Sequence, residues 1–272
     1  MLDALHDDRF HIDRETLIIP RLTRTYRFMQ LSDSHMSPDS PLDDDATRQK
    51  AAEHRAVWMG HGNGLTQEEN FEALAAVGHA ENVDLFLLAG DMTDFPSVGT
   101  ADEGTKLYHR VLGRYLYVPG NHEQGVRYPD YYAACTGGTP ALQVVELDEL
   151  TLVGVDNGCH TIDDATMDAL ERVAHGNKPV VLLHHVPVDC DTLHPAAVDY
   201  WQDVTYFLFG ASGEGDNIDR YNRLVREEKN AICAVVAGHL HFAHVDIFAN
   251  GVPQYVSAPT LAGYARILEI KG

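Results

Sequence analysis

Five short polar motifs, each following an apolar run, constrain the fold of this chain more than any other feature. In chain order they are Asp33-Ser34-His35, Gly90-Asp91-Met92-Thr93-Asp94, Gly120-Asn121-His122-Glu123, His184-His185 and Gly238-His239-Leu240-His241. Short apolar runs of this kind are typical of buried strands. Loops that follow such strands converge on one edge of an α/β sheet, where these folds usually bind ligands. We therefore expect the five motifs to meet at one site.

The residue types in the motifs suit a pair of metal ions. Two cations about 3.5 to 4 Å apart need a bridging carboxylate, further oxygen donors, imidazoles and a position for water. Oxygen donors are available at Asp33, Asp91 and Asn121, and nitrogen donors at His35, His185, His239 and His241. Within the first and last motifs the donors are two residues apart, so in extended chain they would project toward one site.

Each motif also has a simpler interpretation when it is taken alone. Asp33-Ser34-His35 could cap a helix or begin a turn, and Gly120-Asn121-His122-Glu123 could be a tight turn. Seven ligand-type residues at strand ends in one chain favour the metal site over these interpretations. Ten further histidines match no motif, and we expect them at the surface or behind the ligands.

Together the motifs resemble the signature of the calcineurin-like metallophosphoesterase superfamily, which is D-x-H, G-D-x-x-D, G-N-H-[DE], H and G-H-x-H. The resemblance extends from Asp33 to His241 and includes every ligand position. It implies two metal ions, which could be manganese, iron or zinc. The implied ligands are Asp33, His35 and His241 for the first ion and Asn121, His185 and His239 for the second, with Asp91 bridging.

The same resemblance assigns further roles. It implies that His122 is the catalytic residue and that Asp94 orients it. In the fourth motif either histidine could be the ligand. We prefer His185 to His184, because His185-Val186-Pro187 fits the His-x-Pro that family members usually carry.

The resemblance implies an α/β fold, a four-layer αββα sandwich of two mixed β-sheets flanked by helices. The apolar patterns agree with this fold. They predict strands at 16–19, 26–31, 83–88, 115–118, 142–146, 151–155, 180–183, 232–236, 244–248, 254–257 and 265–270. They predict helices at 66–78, 102–112, 163–174 and 217–228.

The 272 residues are expected to form a single metallophosphoesterase domain, because no linker or internal repeat divides the chain. Two insertions, near 38–65 and 188–231, are expected to shape the rim of the active site and to determine specificity. Strands near 254–270 are expected to be exposed edges that could pair across a dimer, although nothing requires a dimer and the oligomeric state stays open.

The composition limits the partners and the location. A formal net charge of −21 argues against a nucleic-acid-binding surface and against binding to anionic membranes. No apolar run approaches the roughly 20 residues that span a bilayer. The four cysteines have no Cys-x-x-Cys spacing and indicate reduced thiols in a cytoplasmic protein.

The ligand set predicts hydrolysis of a phosphoester. A hydroxide that bridges two metals would attack phosphorus in line with the leaving oxygen, and His122 would protonate that oxygen. The serine/threonine phosphatase branch carries extra arginines that clamp a monoester dianion, and here Phe95 and Pro119 occupy those positions. The sequence therefore favours a small-molecule phosphodiester, of cyclic nucleotide or glycerophosphodiester type. Arg127 is the nearest candidate for a substrate contact.

Two alternatives stay open at this point. A phosphomonoesterase or nucleotide pyrophosphatase could use the same metal site. A non-catalytic binding scaffold is the third hypothesis, but such scaffolds usually lose ligand histidines, and every ligand position is kept here.

Overall fold

Two mixed β-sheets lie face to face at the centre of the protein, with an apolar layer between them. The computed structural model describes residues 4–123, 142–211, 215–227 and 229–272. All bounds given below refer to these residues.

The first sheet has five strands. They are β1 (His11–Ile18), β2 (Tyr26–Leu31), β3 (Leu85–Ala89), β4 (Tyr115–Val118) and β11 (Tyr264–Lys271). Their spatial order is β1-β11-β2-β3-β4. Because β2, β3 and β4 run parallel, the loops that follow them leave the same edge of the sheet.

The second sheet has six strands. They are β5 (Leu142–Glu146), β6 (Thr151–Val155), β7 (Val180–Leu183), β8 (Ile232–Ala237), β9 (His244–Ile247) and β10 (Pro253–Val256). Their spatial order is β5-β6-β7-β8-β10-β9. Strands β7 and β8 are parallel neighbours, so the fourth and fifth motifs also leave from one edge.

Six α-helices and one short 3-10 helix are described. They are α1 (Asp45–His61), α2 (Gln67–Ala80), α3 (Val98–Val111), α4 (Asp164–Ala174), α5 (Leu193–Trp201), α6 (Asp216–Arg226) and the 3-10 helix Thr260–Ala262. None of the described helices combines the length and the apolar character needed to cross a membrane.

The four layers follow from which side chains each strand buries. Along β2, Phe28 belongs to the apolar layer between the sheets, whereas Met29 belongs to the outer layer with α2 and α3. On the other sheet, α4 and α6 cover the outer face through Leu170 and Tyr221. Strands β3, β6 and β7 are therefore buried on both faces, which explains why they read as continuous apolar runs. The predicted αββα sandwich is confirmed.

Most predicted elements are observed. Strands at 26–31, 115–118, 142–146, 151–155 and 180–183 have the predicted bounds. Helix α2 begins with the predicted capping box, in which Thr66 and Glu69 bond each other's backbone N–H groups. Helix α3 begins at Val98, four residues before the predicted start at 102, because Ser97 caps it.

The sequence did not predict two of the helices, and one expectation drawn from it was wrong. Helices α1 and α5 were not predicted, and α1 buries only Ala51 among its described side chains, so it lacks the apolar stripe that identifies a packed helix. The expectation of exposed edges at 254–270 is wrong. Strand β10 lies between β8 and β9, and β11 lies between β1 and β2.

Candidate metal centre

Side chains from all five motif loops meet beside the carboxyl ends of β2, β3, β4, β7 and β8. Three overlapping groups have ligand atoms within 4.8 Å of one another. The groups are Asp33, His35 and His241; Asp91, His185 and His239; and His35, Asp91 and His122. All these side chains are buried except His122 and His241, which are partly exposed.

Asp91 lies at the centre of this cluster. Its Oδ2 is 3.3 Å from His185 Nε2 and 3.9 Å from both His35 Nε2 and His122 Nε2. Its Oδ1 instead accepts the backbone N–H of His122 at 2.9 Å. One carboxylate oxygen is therefore held by the loop while the other faces several imidazoles, which suits a carboxylate shared between two cations.

The remaining ligand-type atoms face one another on either side of Asp91. His35 Nε2 and His241 Nε2 are 3.0 Å apart, and His241 Nε2 is 3.5 Å from Asp33 Oδ1. On the other side, Asn121 Oδ1 is 3.0 Å from His185 Nε2. The cluster thus brings together all seven side chains that the sequence proposes as ligands.

The backbone at these residues is left-handed. Asp33, His35, Asp91, His239 and His241 have φ between 45° and 73°. Such values are uncommon outside glycine and concentrate at functional sites, where the surrounding structure enforces them. The expectation of extended chain within the first and last motifs is therefore wrong.

A second correction concerns His239-Leu240-His241. The spacing suggested that both imidazoles reach one site, but His241 groups with Asp33 and His35, whereas His239 groups with Asp91 and His185. Because each of the two histidines has left-handed backbone, alternation along an extended strand does not apply. The split agrees with the assignment that the family resemblance implies.

Glu123 holds the second and third motif loops together. Its fully buried carboxylate accepts the backbone N–H groups of Asp91 at 2.9 Å, Thr93 at 2.7 Å and Gly120 at 2.7 Å. Burial and the nearby charge of Asp91 raise the pKa of Glu123 to about 7, and the backbone hydrogen bonds oppose this rise. This carboxylate therefore positions two ligand loops without being a ligand itself.

Gly90 allows the second motif to approach the fourth. Its φ is +87°, and a Cβ at this position would lie 2.4 Å from His185 Nδ1. The same close approach lets His185 Nδ1 donate to the carbonyl oxygen of Ala89 at 2.7 Å. This hydrogen bond fixes the ring so that Nε2 faces the cluster.

The two histidines of the fourth motif point in different directions. His185 faces Asp91, as described above, whereas His184 Nδ1 lies 3.0 Å from Asn157 Nδ2 and 3.2 Å from the Tyr221 hydroxyl. The Asn157 side chain also accepts the N–H groups of His185 and Val186. His184 therefore lies outside the cluster, and Asn157 positions the loop.

His122 and Asp94 are also adjacent. His122 Nδ1 is 2.6 Å from the Asp94 carbonyl oxygen and 3.1 Å from Asp94 Oδ1. Burial lowers the pKa of His122, but the charge of Asp91 and the hydrogen bonds to Asp94 outweigh it and raise the pKa to about 10. Asp94 is buried too, yet its hydrogen bonds with His122 and His35 hold its pKa well below the usual range.

Two neighbours of the cluster lie in the insertion near 38–65, where Trp58 was expected to form part of a wall of the site but His54 was missed. His54 Nδ1 contacts Asp94 Oδ2, and the Trp58 ring stacks on His35 with centroids 4.4 Å apart. Both lie on α1, four residues apart, so they share one helix face. The spacing of four residues could have indicated that His54 and Trp58 lie on the same side, but only if α1 had been predicted as a helix. Arg127, the proposed substrate contact, lies outside the described residues.

The donor set fits metal ions. Burial and the charge of His185 lower the pKa of His239 to about 3, and burial also lowers the pKa of His35, so both imidazoles stay neutral and can donate a lone pair. His185 differs, because Asp91 outweighs the effect of burial and raises its pKa to about 9. A cation would have to displace that proton.

Comparisons with known proteins agree with this geometry. A family model described as calcineurin-like phosphoesterase matches residues 26–243. No curated protein matches the sequence at a significant level. A dimetal phosphatase from Danio rerio superposes with a TM-score of 0.54 at 12% identity, over 87% of this chain and 88% of that one.

A second solved structure, a 5′-nucleotidase precursor from Thermus thermophilus, superposes with a TM-score of 0.51 at 16% identity. The match covers 90% of this chain and 51% of the nucleotidase, so the present chain corresponds to about half of that protein. At these identities the two superpositions show that the fold is shared.

Metal binding should weaken as the pH falls. Because His185 holds its proton up to about pH 9, a cation must displace that proton at any lower pH. We expect the apparent dissociation constant for Mn²⁺ to rise about tenfold for each pH unit below 9, through this one proton. Calorimetric titrations in two buffers of different ionisation enthalpy would measure the proton release. An affinity that is independent of pH between 6 and 8 would contradict the prediction.

Replacing Glu123 should destabilise the protein without removing a ligand. In Glu123→Gln the amide NH₂ would face a backbone donor, which costs about 2 kcal/mol and lowers the melting temperature by about 4 to 8 °C. Differential scanning fluorimetry at fixed metal content would measure the change. The control is Glu72→Gln, which removes an exposed ion pair with Arg110 and should shift the melting temperature by about 1 °C or less.

Proposed function

Because the chain belongs to the calcineurin-like phosphoesterase family, we propose that it hydrolyses a small-molecule phosphodiester at the cluster formed by its five motif loops. The family consists of metal-dependent phosphoesterases, so the reaction class follows from membership. The diester preference and the role of each residue are our proposals.

The observation that carries the proposal is the position of Asp91. One of its oxygens faces imidazoles from two of the candidate ligand groups, which suits a residue shared by two ions. In this assignment Asp33, His35 and His241 hold one ion, Asn121, His185 and His239 hold the other, and Asp91 is shared. The mixture of carboxylate, amide and imidazole donors suits manganese, iron or zinc.

When bound, two such ions would polarise the phosphoryl oxygens and lower the pKa of a water molecule. The protein's own contribution is to arrange the reacting groups around them. His122 Nε2 faces the centre, 3.9 Å from Asp91 Oδ2, and its side chain is 32% exposed, so a substrate can reach it. With a pKa raised to about 10, His122 carries a proton at neutral pH that it can donate to the leaving oxygen.

Asp94 supports this role from behind the ring. Its backbone carbonyl and carboxylate both lie against His122 Nδ1, so they fix the ring orientation and stabilise the imidazolium. His54 and His35 contact the same carboxylate. Asp94 is therefore proposed as a positioning residue that acts through His122.

The preference for a diester rests on the charge around the cluster. Phe95 and Pro119 occupy the positions where the protein-phosphatase branch has arginines. A phosphodiester carries one negative charge, so it needs less compensation than a monoester dianion. We propose a cyclic nucleotide or glycerophosphodiester type of substrate.

One contact favours the alternative, a phosphomonoesterase or nucleotide pyrophosphatase. The Lys50 ammonium lies 4.3 Å from the centroid of the Phe95 ring, beside one of the positions where the arginine is missing. A lysine from α1 could supply the charge that a monoester needs. The scaffold alternative has no such support, because every ligand-type side chain is present in the cluster.

We expect metal-reconstituted protein to hydrolyse bis-p-nitrophenyl phosphate faster than p-nitrophenyl phosphate, with activity lost on chelation. His122→Ala should lower kcat by about 100-fold or more for a diester with a poor leaving group, and by less for nitrophenolate, which needs no proton. The matched control is His11→Ala, an exposed histidine on β1. A faster monoester reaction would overturn the diester preference.

Lys50 offers a direct test between the two substrates. If it compensates the second charge of a monoester, Lys50→Ala should lower kcat/KM for p-nitrophenyl phosphate by about tenfold and leave the diester rate within about twofold. Lys178→Ala is the control, because Lys178 precedes β7 and so lies at the opposite edge of the sheet. Equal losses for both substrates would show that Lys50 does not distinguish them.

A further inference from the structure

A cavity of about 710 Å³ opens directly beside the cluster, with His241 in its wall. Its other walls come from two helices that the family motifs do not include. Helix α1 contributes Trp58 and His61, and the end of α5 contributes Tyr200 and Trp201. Residues after the fifth motif complete it. The cavity is therefore continuous with the metal centre but is built mainly by parts of the chain that lie outside the motifs.

The chemistry of the lining restricts what can bind there. Among the described residues the lining includes Trp58, Tyr200, Trp201 and Phe242, and the rest is mostly alanine, proline and leucine. It contains no aspartate, glutamate, lysine or arginine among the described residues. A charged group would find only the two histidines, His61 and His241, as titratable nitrogen partners on the described walls, whereas a planar ring would find several aromatic faces.

Both indole rings are held in place by the surrounding structure. Trp58 stacks on His35 with an interplanar angle of 20°. Trp201 donates its indole N–H to the carbonyl oxygen of Leu240 at 3.0 Å, and its ring stacks on Phe207 at 4.5 Å. Fixed rings lose little freedom when a ligand binds, which is a property of preorganised recognition sites.

The indoles also lie close to the reaction centre. The centroids of Trp58 and Trp201 are 5.8 Å and 5.9 Å from the centroid of the His241 ring. A group between them would therefore be adjacent to the proposed ligand His241. That distance suits one ester arm of a substrate whose phosphorus lies at the cluster.

We propose that this cavity binds an uncharged aromatic ring on one ester arm of the substrate, either a nucleobase or a simple aryl group. The proposal rests on the proposed phosphoesterase function and narrows its substrate class to aromatic phosphoesters. It makes Trp58 and Trp201 specificity-determining residues, and an aliphatic glycerophosphodiester becomes a poor substrate.

Ring binding can be tested without any catalysis. The chain has two tryptophans, and both line this cavity, so intrinsic tryptophan fluorescence reports on it alone. We expect adenosine and benzyl alcohol to quench or shift the emission saturably, in metal-free and metal-reconstituted protein, whereas ribose should not. The variants Trp58→Phe and Trp201→Phe each leave one reporter, and each should still respond.

Inhibition of bis-p-nitrophenyl phosphate hydrolysis gives the second test. Adenosine 5′-monophosphate and ribose 5-phosphate differ by the base, and phenyl phosphate and methyl phosphate differ by the ring. We expect an inhibition constant at least about tenfold lower for the ring-bearing member of each pair. If the inhibition constant falls more between ribose 5-phosphate and adenosine 5′-monophosphate, the preferred ring is a nucleobase. If it falls more between methyl phosphate and phenyl phosphate, the preferred ring is a simple aryl group.

Matched variants separate ring recognition from general damage to the site. Trp201→Ala and Trp58→Ala should reduce the discrimination within each pair to about twofold. The control variants Val198→Ala and Val57→Ala change residues on the same two helices that are 39% and 55% exposed. They should keep the full discrimination between the two members of each pair.

Equal inhibition by both members of each pair, with no fluorescence change, would overturn the proposal. Failure to hydrolyse the diester would instead count against the proposed function. The fluorescence test measures ring binding independently of catalysis, so its result would still apply.

Discussion

The buried carboxylate of Glu123 is the interaction on which the rest of the centre depends. It accepts three backbone N–H groups, two from the loop after β3 and one from the loop after β4. Asp91 lies in the first of these loops and Asn121 and His122 in the second, so one side chain fixes the distance between the central carboxylate and its neighbours. An uncharged side chain of the same size would leave at least one buried donor without an acceptor.

Two kinds of structure meet at this centre. The motif loops supply polar groups held at the ends of strands from both sheets, and their geometry is set by buried backbone hydrogen bonds. Helices α1 and α5 instead bring aromatic rings to the rim, through Trp58 and Trp201. In our proposal the polar part determines the reaction class, and the aromatic part determines which ester is accepted. Loops and insertions on a rigid scaffold commonly divide these tasks in this way.

The ligand-type residues could be predicted from sequence because their chemistry is rare and their spacing is local. Asp33, Asp91 and Asn121 follow apolar runs that are themselves strong strand signals, so the position of each on the fold was predictable as well. The sandwich was predictable for the same reason, since β2, β4 and β7 are short buried runs with clear ends. These features depend on a few neighbouring residues each.

Other features depend on contacts between distant parts of the chain and could not be predicted. Glu123 bonds N–H groups about thirty positions earlier, which no local pattern encodes. Helix α1 has almost no buried side chains, so His54 and Trp58 gave no periodic signal there. The left-handed backbone of His239 and His241 overrode the alternation that their spacing suggested. In each case tertiary structure determined the outcome.

The position of β11 has a consequence for how the protein is made. This strand, Tyr264–Lys271, lies between β1 and β2, so β1 cannot join the first sheet until β11 has been synthesised. The segment just before β11 also donates the backbone N–H groups of Thr260 and Leu261 to the carbonyl oxygens of Ser32 and Asp33. A nascent chain that already contains every ligand up to His241 therefore still lacks part of the support for its first ligand, and its folding is completed only after synthesis has passed β11.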